Sequence, residues 1–180
     1  SYHDISTGYV FDVTKLGNEQ TFDVLATAST PTTTVNPVEL TLNDSTSTTQ
    51  YFGNYYSYDD GSAELAYGTT GNQARLSIKY SPYEADSLIG ARIHFVPSVD
   101  DVSDKLFLLT VWSDNAGKPG TVIYEDQLFF PRSPQYQYQR NLFTTYYFQD
   151  TMKVPVTGTF HIGWRQFDAE RLNVGLDMNI

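Results

Sequence analysis

Apolar residues alternate with polar ones at a period of two in several short runs. Leu76, Ile78 and Tyr80 alternate with Arg75, Ser77 and Lys79, and Ala91, Ile93 and Phe95 with Arg92 and His94. Phe107, Leu109 and Val111 share one side of a third run, and Phe160, Ile162 and Trp164 alternate with His161, Gly163 and Arg165. A strand places successive side chains on opposite faces, so this pattern belongs to strands with one face on a core. No series at three- and four-residue spacing competes with it. Asp60-Gly61, Gly71-Asn72, Asp114-Asn115-Ala116-Gly117, Pro119-Gly120 and Thr157-Gly158 supply turns between the runs. The expectation is an all-β chain, an antiparallel β-sandwich or jelly roll. In it Trp164 faces the core, while His94 and His161 are solvated residues on the outer side.

The first fifty residues have a different texture. Tyr9–Val13, Phe22–Ala26 and Val38–Leu42 read as strands, separated and followed by the Ser/Thr-rich stretches 29–34 and 44–49. Three strands do not close a sandwich alone. Residues 1–49 are therefore expected to be the C-terminal strands of a preceding Ig-like domain plus a linker, with the main module over residues 50–180. The Ser-Tyr-His-Asp start has neither an initiator Met nor the character of a signal peptide, which points to a processed product or a fragment.

Twenty-one acids against 11 bases give a formal net charge of -10. Phosphate backbones and anionic membranes are recognised by clustered Lys and Arg, so neither a nucleic acid nor a membrane surface is expected as partner. No apolar stretch is long enough for direct membrane insertion. The chain has no Cys, which removes disulfides, thiolate metal sites and Cys nucleophiles.

Asp59-Asp60-Gly61-Ser62-Ala63-Glu64 is the densest acidic cluster, and Asp59, Asp60 and Glu64 are the candidate ligands for Ca²⁺, a hard cation that takes several oxygens. The competing reading is an exposed turn whose carboxylates bond nearby amides. Asp114 to Gly120 is either a ligand-contacting rim or a long hairpin connection. Tyr56, Tyr58, Tyr136 and Tyr138 are the candidate ligand-binding residues, since exposed rings stack on sugar faces; alternatively half of each set is core. Gly-x-Ser-x-Gly and phosphate-cradling glycine loops are absent. No catalytic residue stands out, and the chain is read as not an enzyme.

The stretch Tyr55-Tyr56-Ser57-Tyr58-Asp59-Asp60-Gly61-Ser62-Ala63-Glu64-Leu65-Ala66-Tyr67-Gly68 resembles a β-sandwich module of large secreted Bacteroidetes proteins, many exported by the type IX secretion system. In order, Ala91 to Phe95, Leu109 to Gly120, Gly158 to Trp164 and Asn173 to Asp177 extend the likeness over roughly residues 50–180. It implies a secreted or cell-surface location, a multi-domain parent and no catalytic residues. It also implies a further strand past Asp177, hence a module truncated at its C-terminus. Bacteroidetes glycosylate Ser or Thr after Asp when a residue such as Leu, Met or Thr follows. Ser45, Ser87 and Thr151 match that pattern for O-glycosylation and equally read as plain surface triplets.

The leading expectation is a non-catalytic structural or adhesive module of an exported surface protein, linked to adhesion or gliding. Its partners would be other domains of the parent chain, surface or secretion proteins, and glycans. A Ca²⁺-dependent carbohydrate-binding module is the alternative. A small hydrolase domain is the third, because glycosidase carboxylate pairs form only in three dimensions.

Overall fold

A computed structural model describes residues 20–27, 45–58, 63–97, 101–137, 139 and 142–178. The chain divides into two compact units, Ser1–Tyr56 and Ser57–Ile180. Among the described residues every strand pairing is antiparallel and no sheet closes on itself. Among the described residues the only helical element is a 3₁₀ turn at Gln149–Thr151.

In the first unit β1 (Gln20–Thr27) pairs with β2 (Ser45–Phe52), from Gln20 opposite Phe52 to Thr27 opposite Ser45. The Ser/Thr-rich residues 45–49, expected as linker, are therefore strand. β-branched Thr fits a pleated surface once a partner strand accepts its backbone bonds. One cross-strand pair is explicit: Thr49 Oγ1 donates to Asp23 Oδ1 at 2.7 Å. The expected strands Tyr9–Val13 and Val38–Leu42 lie outside the described residues.

The second unit holds β3 (Leu65–Tyr67), β4 (Arg75–Tyr80), β5 (Asp86–Leu88), β6 (Gly90–Ile93), β7 (Phe107–Asn115), β8 (Lys118–Glu125), β9 (Thr144–Tyr147), β10 (Val154–Val156), β11 (Phe160–Gln166) and β12 (Val174–Leu176). A four-stranded sheet runs β4-β11-β7-β8, and three two-stranded pairs accompany it: β5 with β10, β3 with β12, β6 with β9. Register sets Trp164 opposite both Leu109 and Leu76, and Ile162 opposite Val111 and Ile78.

That register builds one aromatic cluster. Phe95, beyond the end of β6, and Tyr146 of β9 meet Phe107 of β7, with ring centroids 5.5 and 5.4 Å away; Phe95 also meets Trp164 of β11 at 5.6 Å. Trp164 is buried, as its alternation predicts. Two other readings need correction. In the central strand β7 every residue from Phe107 to Trp112 is buried, so both faces are covered, not one. On the edge strand β4, Ile78 is exposed although it lies on the inner side of its pattern. A strand's place in the sheet, central or edge, overrides the face assigned by local alternation.

His161 corrects the solvated-sheet reading as well. It is 3% exposed, and its Nε2 lies 2.9 Å from Asp114 Oδ1. Strand β7 supplies a carboxylate that satisfies the imidazole where β11 is covered. His94 is half-buried, with Nδ1 at 2.8 Å from the Leu142 carbonyl and its ring against Phe143.

Candidate functional site

After β8 the chain leaves the sheet at Asp126 and returns at Arg132, and both ends of this excursion are fixed to β7. Asp126 N–H donates to the Leu109 carbonyl at 3.0 Å, and Leu109 N–H donates to Asp126 Oδ2 at 2.9 Å. Arg132 and Phe107 exchange backbone bonds of 2.8 and 2.9 Å. The two ends are also joined directly. The Arg132 guanidinium donates from Nε to Asp126 Oδ2 at 2.5 Å and from Nη2 to Oδ1 at 2.9 Å, a bidentate pair. Tyr124 O–H donates to Oδ1 at 2.7 Å. Burial, and then the bond to Asp126, push the Tyr124 hydroxyl above its ordinary pKa.

The five residues between are Gln127-Leu128-Phe129-Phe130-Pro131. Phe130 N–H donates to the Gln127 carbonyl at 2.9 Å, closing a turn. One side chain then holds both limbs: Gln149 Oε1 accepts from Gln127 N–H and Gln149 Nε2 donates to the Phe130 carbonyl, each at 2.8 Å. Between these two held limbs the side chains face water. Leu128 is 61% exposed, Phe129 90% and Phe130 65%. Met152, just past the 3₁₀ turn that carries Gln149, is also exposed. Three consecutive large apolar residues exposed on a turn flanked by a buried ion pair are a candidate contact feature, since single exposed apolar residues are ordinary and contiguous ones are not. The sequence reading passed over this segment. Its signal was an apolar triplet ahead of Pro131, in a place where polar turn residues are expected.

A polar site lies at the β7–β8 hairpin. Ala116 and Gly117 form its two-residue turn with φ of 53° and 83°, the signs of a type I′ turn. The stretch Asp114 to Gly120 is thus a tight hairpin and not a long connection. Ser113, Asp114, Asn115, Pro119, Gly120 and Thr121 line a shallow hollow beside it. Asp114 accepts from the Gly117 amide at 3.1 Å and pairs with His161; the His161 bond first, then the Gly117 amide, hold its carboxyl below the ordinary range. Glu125 is engaged likewise: Arg165 donates to it at 2.7 and 3.0 Å and holds its pKa down. These carboxylates serve the fold's own hydrogen bonding.

No family model, curated protein or solved structure matches this chain.

The candidate residues named from sequence fall in separate settings. Tyr58 is exposed but stacks on Tyr80, centroids 5.0 Å apart and planes 6° from parallel. Tyr56 is half-buried and belongs to the first unit. Tyr136 is half-buried with its hydroxyl oxygen inside, and burial, followed by the charge of Asp101, raises its pKa. Tyr138 lies outside the described residues, as do Asp59 and Asp60. Glu64 is exposed and ties β3 to the end of β12: its N–H donates to the Leu176 carbonyl at 3.2 Å, and its Oε2 accepts from Met178 N–H at 3.0 Å. Among the described residues no group of three His, Asp or Glu side chains is placed to hold a metal. Ser45 opens β2 and Ser87 lies in β5 opposite Pro155, whereas Thr151 sits in the 3₁₀ turn with φ of 55°; all three are exposed.

Proposed function

We propose that the chain is a non-catalytic adhesive module of an exported, cell-surface protein, and that it makes contact through the turn Leu128-Phe129-Phe130. The observation that carries this reading is the exposure of those three side chains on a turn pinned by Gln149 and by the Asp126–Arg132 pair. Rigid presentation lowers the ordering cost of contact. The turn has no charge of its own, and the charges flanking it neutralise each other, so it suits an apolar, uncharged surface and not an anionic one.

We read the second unit as a β-sandwich of jelly-roll-like build. The aromatic cluster in which Phe95 and Tyr146 meet Phe107 and Trp164 supports that reading. The resemblance of residues 50–180 to type IX secretion cargo modules supports a secreted or outer-surface location, with other domains of the parent chain as neighbours.

The test is retention of protein-coated beads on methyl-terminated and hydroxyl-terminated surfaces. Wild type is retained on the methyl surface at low and high salt alike. Phe129→Ser with Phe130→Ser reduces retention about tenfold, with the melting temperature unchanged. Equal retention of variant and wild type overturns the assignment of the contact, and retention abolished by salt overturns its apolar nature.

A further inference from the structure

Among the described residues β4 ends its sheet on the side away from β8, and β3 pairs with β12 alone. These two open edges lie at one flank. Residues 68–74 carry the chain from β3 to β4, and residues 167–173 carry it from β11, the neighbour of β4, to β12, the neighbour of β3. The two crossings are tied to each other. Gly71 N–H donates to the Ala169 carbonyl at 3.1 Å, and Gln166 Nε2 donates to the Asp168 and Glu170 carbonyls at 3.0 Å, with those of Gly71 and Thr69 at 3.3 and 3.4 Å.

Register shows which side chains point inward at this flank. Directly opposed residues of an antiparallel pair share a face, and so do residues two apart on one strand. Phe95, in the aromatic core, is opposite Val174, which is opposite Tyr67; Leu176 and its partner Leu65 are therefore on the core side too. On β4, Ile78 is opposite the buried Ile162 and takes the core side with it. Core-side residues are normally covered, yet Ile78 is 44% exposed, Leu65 53%, Tyr67 52% and Leu176 40%. Apolar surface from three strands is left open along one flank, the mark of an interaction site. The backbone of β4 is open as well. Gln166 N–H donates to the Ala74 carbonyl at 3.0 Å, so residues 74, 76, 78 and 80 turn their N–H and C=O groups to β11, and Arg75, Ser77 and Lys79 turn theirs outward. A second copy of β4 does not fit them: antiparallel pairing about Ser77 sets Arg75 against Lys79 twice, like charge against like. Arg75 and Lys79 are exposed, and carboxylates opposite them make the favourable cross-strand pair.

We propose that the β3–β4 flank receives an extended segment of a partner protein as an added strand beside β4, one in which apolar residues alternate with Asp or Glu. Its backbone bonds to Arg75, Ser77 and Lys79. Its apolar side chains cover Ile78, Leu65, Tyr67 and Leu176, and its carboxylates face Arg75 and Lys79. This surface is separate from the Leu128-Phe129-Phe130 turn, which follows β8 at the other end of the sheet.

The probe is a fluorescent, end-blocked (Val-Glu)₄ peptide, titrated by anisotropy against the whole chain. Wild type is expected to bind it, and to bind about tenfold more weakly both (Val-Lys)₄ and a peptide of the same residues in one Val block and one Glu block. Hydrogen exchange slows at the amides of Arg75, Ser77 and Lys79 when the peptide is bound. Ser77→Pro removes an outward donor that β11 does not use, and weakens binding about tenfold. Ile78→Ser keeps the backbone and weakens binding comparably, so the test stands should the proline variant fail to fold. Phe129→Ser with Phe130→Ser binds the peptide as wild type does, which separates this flank from the adhesive turn. The proposal is overturned by a wild type that does not bind (Val-Glu)₄ or binds (Val-Lys)₄ equally, or by unchanged binding in Ser77→Pro and Ile78→Ser. Wild-type dimers that Ser77→Pro abolishes overturn it too, since the occupant is then a second copy.

Discussion

Asp126→Asn changes the shape of the side chain hardly at all, yet it removes the anion that organises the base of the apolar turn. Four donors converge on the two carboxylate oxygens: Leu109 N–H, Tyr124 O–H, and Nε–H and Nη2–H of Arg132. Asn offers one oxygen and two donor protons, so on one side donors face donors. The guanidinium loses its counter-charge while its side chain is only 16% exposed. Removing one partner of a buried ion pair costs about 3–5 kcal/mol, and the residual water contact of Arg132 places this case near 3. For a unit of this size each kcal/mol lowers the melting temperature by about 3–5 °C, so the variant melts about 9–15 °C lower. Thermal and urea unfolding followed by tryptophan fluorescence measure the loss. Replacing the pair as a whole, Asp126→Leu with Arg132→Met, recovers most of it, because no unpaired charge then remains buried. A loss under about 1 kcal/mol for Asp126→Asn, or a double variant no better than the single one, refutes the view of the pair as a brace.

Two further outcomes follow from local geometry. Ala116 has φ of 53°, a conformation costing an L-residue with a Cβ roughly 1–2 kcal/mol, which Asn tolerates better. Ala116→Asn should therefore raise stability by about 0.5–1 kcal/mol in urea unfolding, and an unchanged or lowered midpoint shows that the turn is not type I′. The Tyr146 hydroxyl accepts from Gln135 N–H at 2.9 Å, donates to the Ser133 carbonyl at 3.2 Å and is pushed by burial from 10.0 to about 12. A raised folded-state pKa means its stabilisation is complete below pH 10 and is lost as pH rises towards 12. Absorbance titration of tyrosinate should show a late component that Tyr146→Phe removes; titration of all tyrosines in one ordinary step contradicts the burial.

Much of the fold was legible locally. Alternation placed Trp164 and Phe95 in the core, because side-chain direction along a strand depends on parity alone, and the strand read at Phe22–Ala26 falls within β1. Turn residues marked the Ala116-Gly117 hairpin, although not how tight it is. Parity says nothing of neighbours. It left His161 outside, where the tertiary structure buries it against Asp114, and it gave β7 one covered face where a central strand has two. It also left residues 45–49 as linker, since Ser and Thr become strand only when β1 stands alongside.

The candidate contact site depends on the same distinction. The absence of Cys excludes cysteine chemistry, because functional groups are properties of the chain itself. Whether Leu128, Phe129 and Phe130 are core or surface was decided only by folding. Asp126 and Arg132 must meet across the turn, and Gln149 must reach it from another part of the chain. Nor does the sequence show that the Gln166 side chain donates from Nε2 to the backbone carbonyls of Thr69, Gly71, Asp168 and Glu170, since backbone oxygens are common to every residue and only the apposition of two loops brings these to one side chain.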